Sequence, residues 1–231
     1  MRSREKYLWI YDVLFLLVFA LAGYLRLTGV NWGEAQHQHP DENTFSNVLY
    51  SMQARKCADP AIPVSVCPPD QKRWLSLSDY FNSQTSTLNP YNIGFGSFVY
   101  GDLPMVVVRV AADLTEQTDF RVFGRQASAF ADLLAILFLY LIVSNLYNRR
   151  IALLASLFSA LTVMQIQQSH FFTIDLFVNT FSLLAAYFAV KIIDTRYSRD
   201  YLGKPKIEIR IEGLKSKYKS TTAFLPTILS S

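Results

Sequence analysis

Apolar residues are unevenly spread along the chain: they gather into four blocks of membrane length, separated by polar stretches of very different sizes. The blocks lie near residues 7–25, 126–147, 151–168 and 171–190. The first carries one charge (Asp12), the second one (Asp132), the third none and the fourth one (Asp175). A helix rising 1.5 Å per residue needs about 20 residues to cross a hydrocarbon core about 30 Å thick, so the pattern predicts four spanning helices. The first block also admits a signal-peptide reading. Arg2, Arg4 and Lys6 precede it and Ala20-Leu21-Ala22 resembles a cleavage site, but its length and Asp12 favour an uncleaved anchor.

Between the first and second blocks lies a loop over 26–125. Within it Val99 to Ala112 is apolar but short and carries Asp102, Pro104 and Arg109, which suits an interfacial helix better than a span. Phe45, Val48, Leu49 and Met52 recur at helical spacing and predict a short helix over Glu42 to Gln53. Pro60 to Pro69 and Leu88-Asn89-Pro90 read as irregular chain. The expected class is therefore an all-α integral membrane protein, with a module over 1–200 and a short, charged C-terminal segment over 201–231.

Composition agrees, at 51% hydrophobic and 14% aromatic residues, and the net charge of +4 is too small and dispersed to suggest nucleic acid. Its distribution is more useful. Residues 1–7 carry three basic groups against one acidic, Arg149-Arg150 add two, and 191–231 hold nine basic against four acidic. The loop over 26–125 holds eight basic against ten acidic. Under the positive-inside rule the N-terminus is cytoplasmic and the long loop external, in a multi-pass protein of the cell membrane.

That topology places two acidic sites on one side: Asp41 and Glu42, after the first span, and Asp175, opening the fourth with Asn179 one turn on. Ser169-His170 lies beside Asp175. For Asp41 two bland or alternative readings stay open: a solvated helix cap, or a divalent metal held by His37, His39 and Asp41. Arg26, Arg109 and Arg125 are candidates for an anionic head group, or simply snorkelling anchors, and Asp132 is expected to pair with one of them. Cys57 and Cys67, the two cysteines, are either a disulfide or two free thiols.

Taken in order, Arg26, His39-Pro40-Asp41-Glu42, Asn89-Pro90, Phe98-Val99-Tyr100-Gly101 with Leu103-Pro104, Gly124-Arg125, Ser169-His170 with Asp175, and Gly213-Leu214 with Ser216-Lys217 form a set. In that order, at external helix ends, it resembles the N-terminal part of lipid-carrier-dependent glycosyltransferases of the C superfold. Family 39 is the nearest in kind, with its protein O-mannosyltransferases and aminoarabinose transferases. The resemblance implies a polyprenyl-phosphate sugar donor, a glycan, protein or lipid acceptor, and inversion at the anomeric carbon. It makes Asp41 the general base, with Glu42 and Asp175 orienting the acceptor or a metal. Arg125 would meet the phosphate, and His39, His170, Tyr100 and Asn179 would line the substrate site. Such enzymes have more spans than this chain, which suggests a fragment. A non-catalytic scaffold subunit that binds a larger membrane partner is the alternative, and a glycoside hydrolase a weaker third.

Overall fold

A computed structural model describes residues 8–33 and 39–199. It is mostly helical, with eight helices among the described residues: α1 (Leu8–Leu27), α2 (Pro40–Ser51), α3 (Leu77–Tyr80), α4 (Leu103–Leu114), α5 (Phe120–Leu146), α6 (Arg149–Leu161), α7 (Val163–Ser169) and α8 (Asp175–Arg199). Three of them, α1, α5 and α8, are long and apolar enough to cross a membrane alone, and the bent pair α6–α7 is a fourth where its two halves count as one span. Outward faces carry Trp9, Leu16, Leu17, Phe158, Val178 and Phe188, all largely exposed. So much apolar surface on the outside of long helices fits lipid, and the chain is an all-α integral membrane protein.

The chain divides into two units, Met1–Ala185 and Ala186–Ser231. In the second, the described residues are the last turns of α8, where Lys191 lies over the Tyr187 ring at 5.9 Å. The expected C-terminal segment over 201–231 falls outside the described residues.

In the first unit, α1, α5 and α6 pack closely because small residues face one another. Ala152, Ser156 and Ala160 recur every fourth residue on α6, and each is fully buried, as are Ala22 on α1 and Ala129 on α5. Backbones can approach where no side chain intervenes, which is how helices associate in lipid. Phe15 of α1 stacks on Tyr140 of α5 at 4.0 Å. At one end Arg149 pairs with Asp12 at 2.6 Å.

The third expected span, drawn as one helix over 151–168, is corrected by the structure. It breaks at Thr162, whose backbone is extended, and α7 leaves α6 at 59°. The break frees the last carbonyls of α6, and Arg26 takes them up: Nη1 donates to Ala160 O at 3.0 Å and Nη2 to Ser159 O at 3.2 Å. Its Nε donates to Asp132 at 2.6 Å, and both side chains are fully buried. The expected pairing of Asp132 with a nearby arginine is thus present, and the arginine is one that also satisfies a helix terminus.

Above these helices the 26–125 segment builds a core from Phe45, Val48, Leu49 and Met52 of α2, Met105 and Val108 of α4, and Leu88 and Phe98, joined by Phe172 from just before α8. The apolar residues expected on one face of α2 are those buried. At twelve residues, about 18 Å, α4 is too short to cross. A small ribbon was not expected: β1 (Arg55–Cys57) pairs antiparallel with β2 (Lys72–Trp74), Arg55 facing Trp74. Cys57 and Cys67 form a disulfide beside it. Closing so short a loop contributes about 2–3 kcal/mol by restricting the unfolded chain. Reduction is therefore expected to loosen residues 58–66 selectively, read as faster proteolysis there while α1 and α5 stay protected.

Candidate functional site

His39 is the N-cap of α2, Pro40 sets its first turn, and Asp41 and Glu42 follow at once. Neighbouring residues on a helix point about 100° apart, so the two acids cannot share one environment. Glu42 lies on the apolar stripe with Phe45, Leu49 and Met52 and is fully buried. Asp41, at the stripe's edge, stays partly exposed.

The buried acid is the centre of a clamp. Arg125 of α5 donates to both Glu42 oxygens, with Nη2 at 2.7 Å from Oε2, and the two side chains are at most 1% exposed. Arg125 Nη1 donates to Val30 O and Trp32 O, each at 3.0 Å, in the chain leaving α1. Phe172 N–H donates to Glu42 Oε1 at 3.0 Å, just before α8. One ion pair thereby fixes four segments. A two-pronged guanidinium–carboxylate pair backed by further hydrogen bonds on both partners is the geometry in which a buried charge pair holds.

This corrects two expectations. Arg125 was expected to meet a phosphate, but four of its five N–H groups go to Glu42 and two carbonyls, and the side chain is 1% exposed. Glu42 was expected to orient an acceptor or metal, yet it is sealed from solvent. The expectation for His170 changes in the same way: Nδ1 lies 2.7 Å from Ile166 O and Nε2 2.8 Å from Thr28 O. With Trp32 Nε1 donating to His170 O at 3.2 Å, this residue ties the end of α1 to α7.

What the clamp brings together is the surface above it. The His39 ring lies 4.9 Å from Phe171, beside Phe172, so Asp41 and the segment leading to Asp175 are at the same end of the helices. Tyr100 OH approaches Asp41 Oδ1 at 3.5 Å, a long contact. Asp175 is exposed and accepts from Gln168 Nε2 at 3.3 Å, while Asn179 sits half-buried one turn on. Asp41, Tyr100, Asp175 and Asn179 thus keep side-chain capacity for a ligand. Of the metal expectation, His37 lies outside the described residues. Among the described residues no three His, Cys, Asp or Glu side chains are grouped as ligands.

Helix length gives the depth of each pair. From Asp12 to Arg26 on α1 is about 21 Å, and from Asp132 to the end of α5 about the same. The 13 residues of α6 reach about 20 Å before the break. Arg125 stands about 32 Å above the end of α5, close to the thickness of a hydrocarbon core, and Asp132 lies about 10 Å nearer that end on the same helix.

Gly124 explains why this end packs as it does. A Cβ there would stand 2.6 Å from Phe172 Cγ, whereas one at Gly23 would meet only Leu133 Cδ1 at 3.8 Å. Phe172 is fully buried and has nowhere to swing. Gly124→Ala is expected to cost about 1–3 kcal/mol despite alanine's better helix propensity, and Gly23→Ala to be neutral or slightly stabilising. Thermal melting of both variants in detergent checks the contrast.

A family model described as dolichyl-phosphate-mannose-protein mannosyltransferase matches residues 104–207, from the start of α4 through α8. The matched segment contains Arg125, Asp132 and Asp175; Asp41 and Glu42 precede it. No curated protein and no solved structure matches the chain. The match supports a multi-pass membrane glycosyltransferase of the mannosyltransferase type, similar to proteins that use a polyprenyl-phosphate sugar.

Proposed function

We propose that the chain is a membrane glycosyltransferase, or part of one, of the family 39 kind within the C superfold. It moves a sugar from a polyprenyl phosphate to an acceptor hydroxyl at the membrane face that carries Asp41. The observation that carries this reading is the clamp. A buried ion pair about 32 Å from the far end of α5 ties the helix that carries Asp41 in its first turn to the segment that leads into Asp175.

Asp41 is the general base. The acceptor oxygen attacks the anomeric carbon as Asp41 takes its proton, and the bond from that carbon to the phosphate oxygen breaks with inversion. The lipid phosphate leaves with the electron pair. Asp175, Asn179 and Tyr100 orient the acceptor. The basic turn at Arg149-Arg150 and the charge bias of the loops support an orientation with Asp41 outside the cell membrane and the N-terminus inside. The Cys57–Cys67 disulfide supports the same side, since such bonds persist in oxidising compartments.

The test is reconstitution of the full chain in liposomes with radiolabelled dolichyl-phosphate mannose and acceptor peptides. Donor-dependent labelling of acceptor is expected. No labelling, together with no saturable binding of the donor, would overturn the reading.

A further inference from the structure

Two cavities of about 520 and 380 Å3 lie side by side next to the ribbon, sharing Gln53, Arg55 and Val64 in their walls. They are at the far end of α2 from Asp41, about 18 Å along the helix, and none of Asp41, Tyr100 and Asp175 lines either one.

Their walls hold cations whose bonding is incomplete. Arg55 stacks over Trp74 at 4.5 Å and donates from Nη2 to Asp113 O at 2.9 Å, but its Nε is buried with no partner among the described residues. The side chain of Lys72, on the opposite strand and in the wall of the larger cavity, has neither ion pair nor hydrogen bond among the described residues. The other cations nearby are committed. Arg109 donates to Asp113 and to Leu49 O, and Lys56 pairs with Asp79, whose carboxyl it holds down at about 2. Of the two carboxylates in the larger cavity, Asp113 is neutralised by Arg109, and Glu116 alone opposes a negative ligand.

We propose that this cleft binds an oxyanion, a phosphate or carboxylate group, between the Arg55 guanidinium and Lys72 Nζ. Only one hydrogen bond, from Nη2 to Asp113 O, engages the Arg55 guanidinium among the described residues, and an oxyanion is the acceptor that fits its remaining N–H groups most strongly. A stacked, planar guanidinium beside a flexible ammonium is a common phosphate-binding combination. The adjoining cavity on the other side of Arg55 leaves room for the organic body of a larger ligand. The anion is therefore either a free ion or the charged group of a sugar-sized molecule, and the two sources are separable. The site does not depend on the transfer reaction.

The full chain, in neutral detergent at low salt, is titrated with inorganic phosphate, glucose 6-phosphate and glucose, using tryptophan fluorescence and calorimetry. Both anions are expected to saturate and glucose not to bind. Tighter binding of glucose 6-phosphate assigns the second cavity to the organic body, and equal binding assigns the site to the free ion. Lys72→Gln is expected to weaken binding about tenfold or more, and Glu116→Gln to tighten it a few-fold by removing the opposing charge. Arg73→Gln, an exposed neighbour that lines neither cavity, leaves it unchanged. Because Lys72 has no partner to lose, its replacement does not threaten the fold. Absence of saturation by either anion, or a Lys72→Gln titration superimposable on wild type, would overturn the proposal.

Discussion

Asp41→Asn is expected to lower sugar transfer by about 10²–10⁴-fold, the range removed when a positioned general base is lost. The substitution keeps size and shape and leaves the Glu42–Arg125 clamp untouched, so insertion, melting and donor binding should match wild type. The loss should therefore appear in the rate of transfer at saturating donor and not in donor affinity. Tyr100→Phe is the useful contrast. Its hydroxyl reaches Asp41 only at 3.5 Å, beyond a good O–H···O distance, and its removal should cost a few-fold at most. Asp175→Asn belongs between them, since an orienting carboxylate contributes position without taking the proton. If Asp41→Asn transfers sugar at the wild-type rate, the base lies elsewhere and the reading of this surface is wrong.

The helices were legible in the sequence because lipid imposes a length and a polarity that few other environments demand. The spans near 7–25, 126–147 and 171–190 all have counterparts in α1, α5 and α8, although α5 starts at Phe120 and α8 runs on to Arg199. The break at Thr162 was not legible. Neither proline nor glycine marks it, and its stability rests on Arg26, more than 130 positions away, which accepts the role of capping α6. The ribbon was hidden for a different reason. Arg55-Lys56-Cys57 and Lys72-Arg73-Trp74 are three residues each and show no alternation, and it is the disulfide and the stacking of Arg55 on Trp74 that hold them.

At the site, the structure gives Glu42 and Arg125 a packing role that the linear pattern does not separate from the surface position of Asp41. A signal for Glu42 was present. It shares the stripe of Phe45, Leu49 and Met52, and a carboxylate on a buried stripe requires a cationic partner. What the one-dimensional pattern lacked was which arginine. Arg26 and Arg125 sit at helix ends as snorkelling residues do, and only packing reveals that each is enclosed and paired with its own acid.

Arg125→Ala is expected to destabilise the protein by about 3–5 kcal/mol, because it strands a fully buried Glu42 carboxylate whose other recorded hydrogen bond, among the described residues, is from Phe172 N–H. That is a large share of the roughly 5–15 kcal/mol that separates folded from unfolded domains. Glu42→Ala strands the guanidinium instead, although the carbonyls of Val30 and Trp32 still accept from Arg125 Nη1, so a somewhat smaller loss is expected. The double variant should be less unstable than the sum of the two, since each charge is a liability only in the absence of the other. Thermal melts of the three variants in detergent close the cycle, and an Arg125→Ala protein that melts with wild type would remove the clamp from the account. Transfer by whatever fraction remains folded separates support from chemistry. A clamp that only positions Asp41 predicts that Arg125→Lys, which keeps the charge but loses the two-pronged grip, recovers stability in part and activity with it. A direct phosphate contact predicts instead that donor affinity falls while stability holds, and the sealed geometry around Glu42 favours the first outcome.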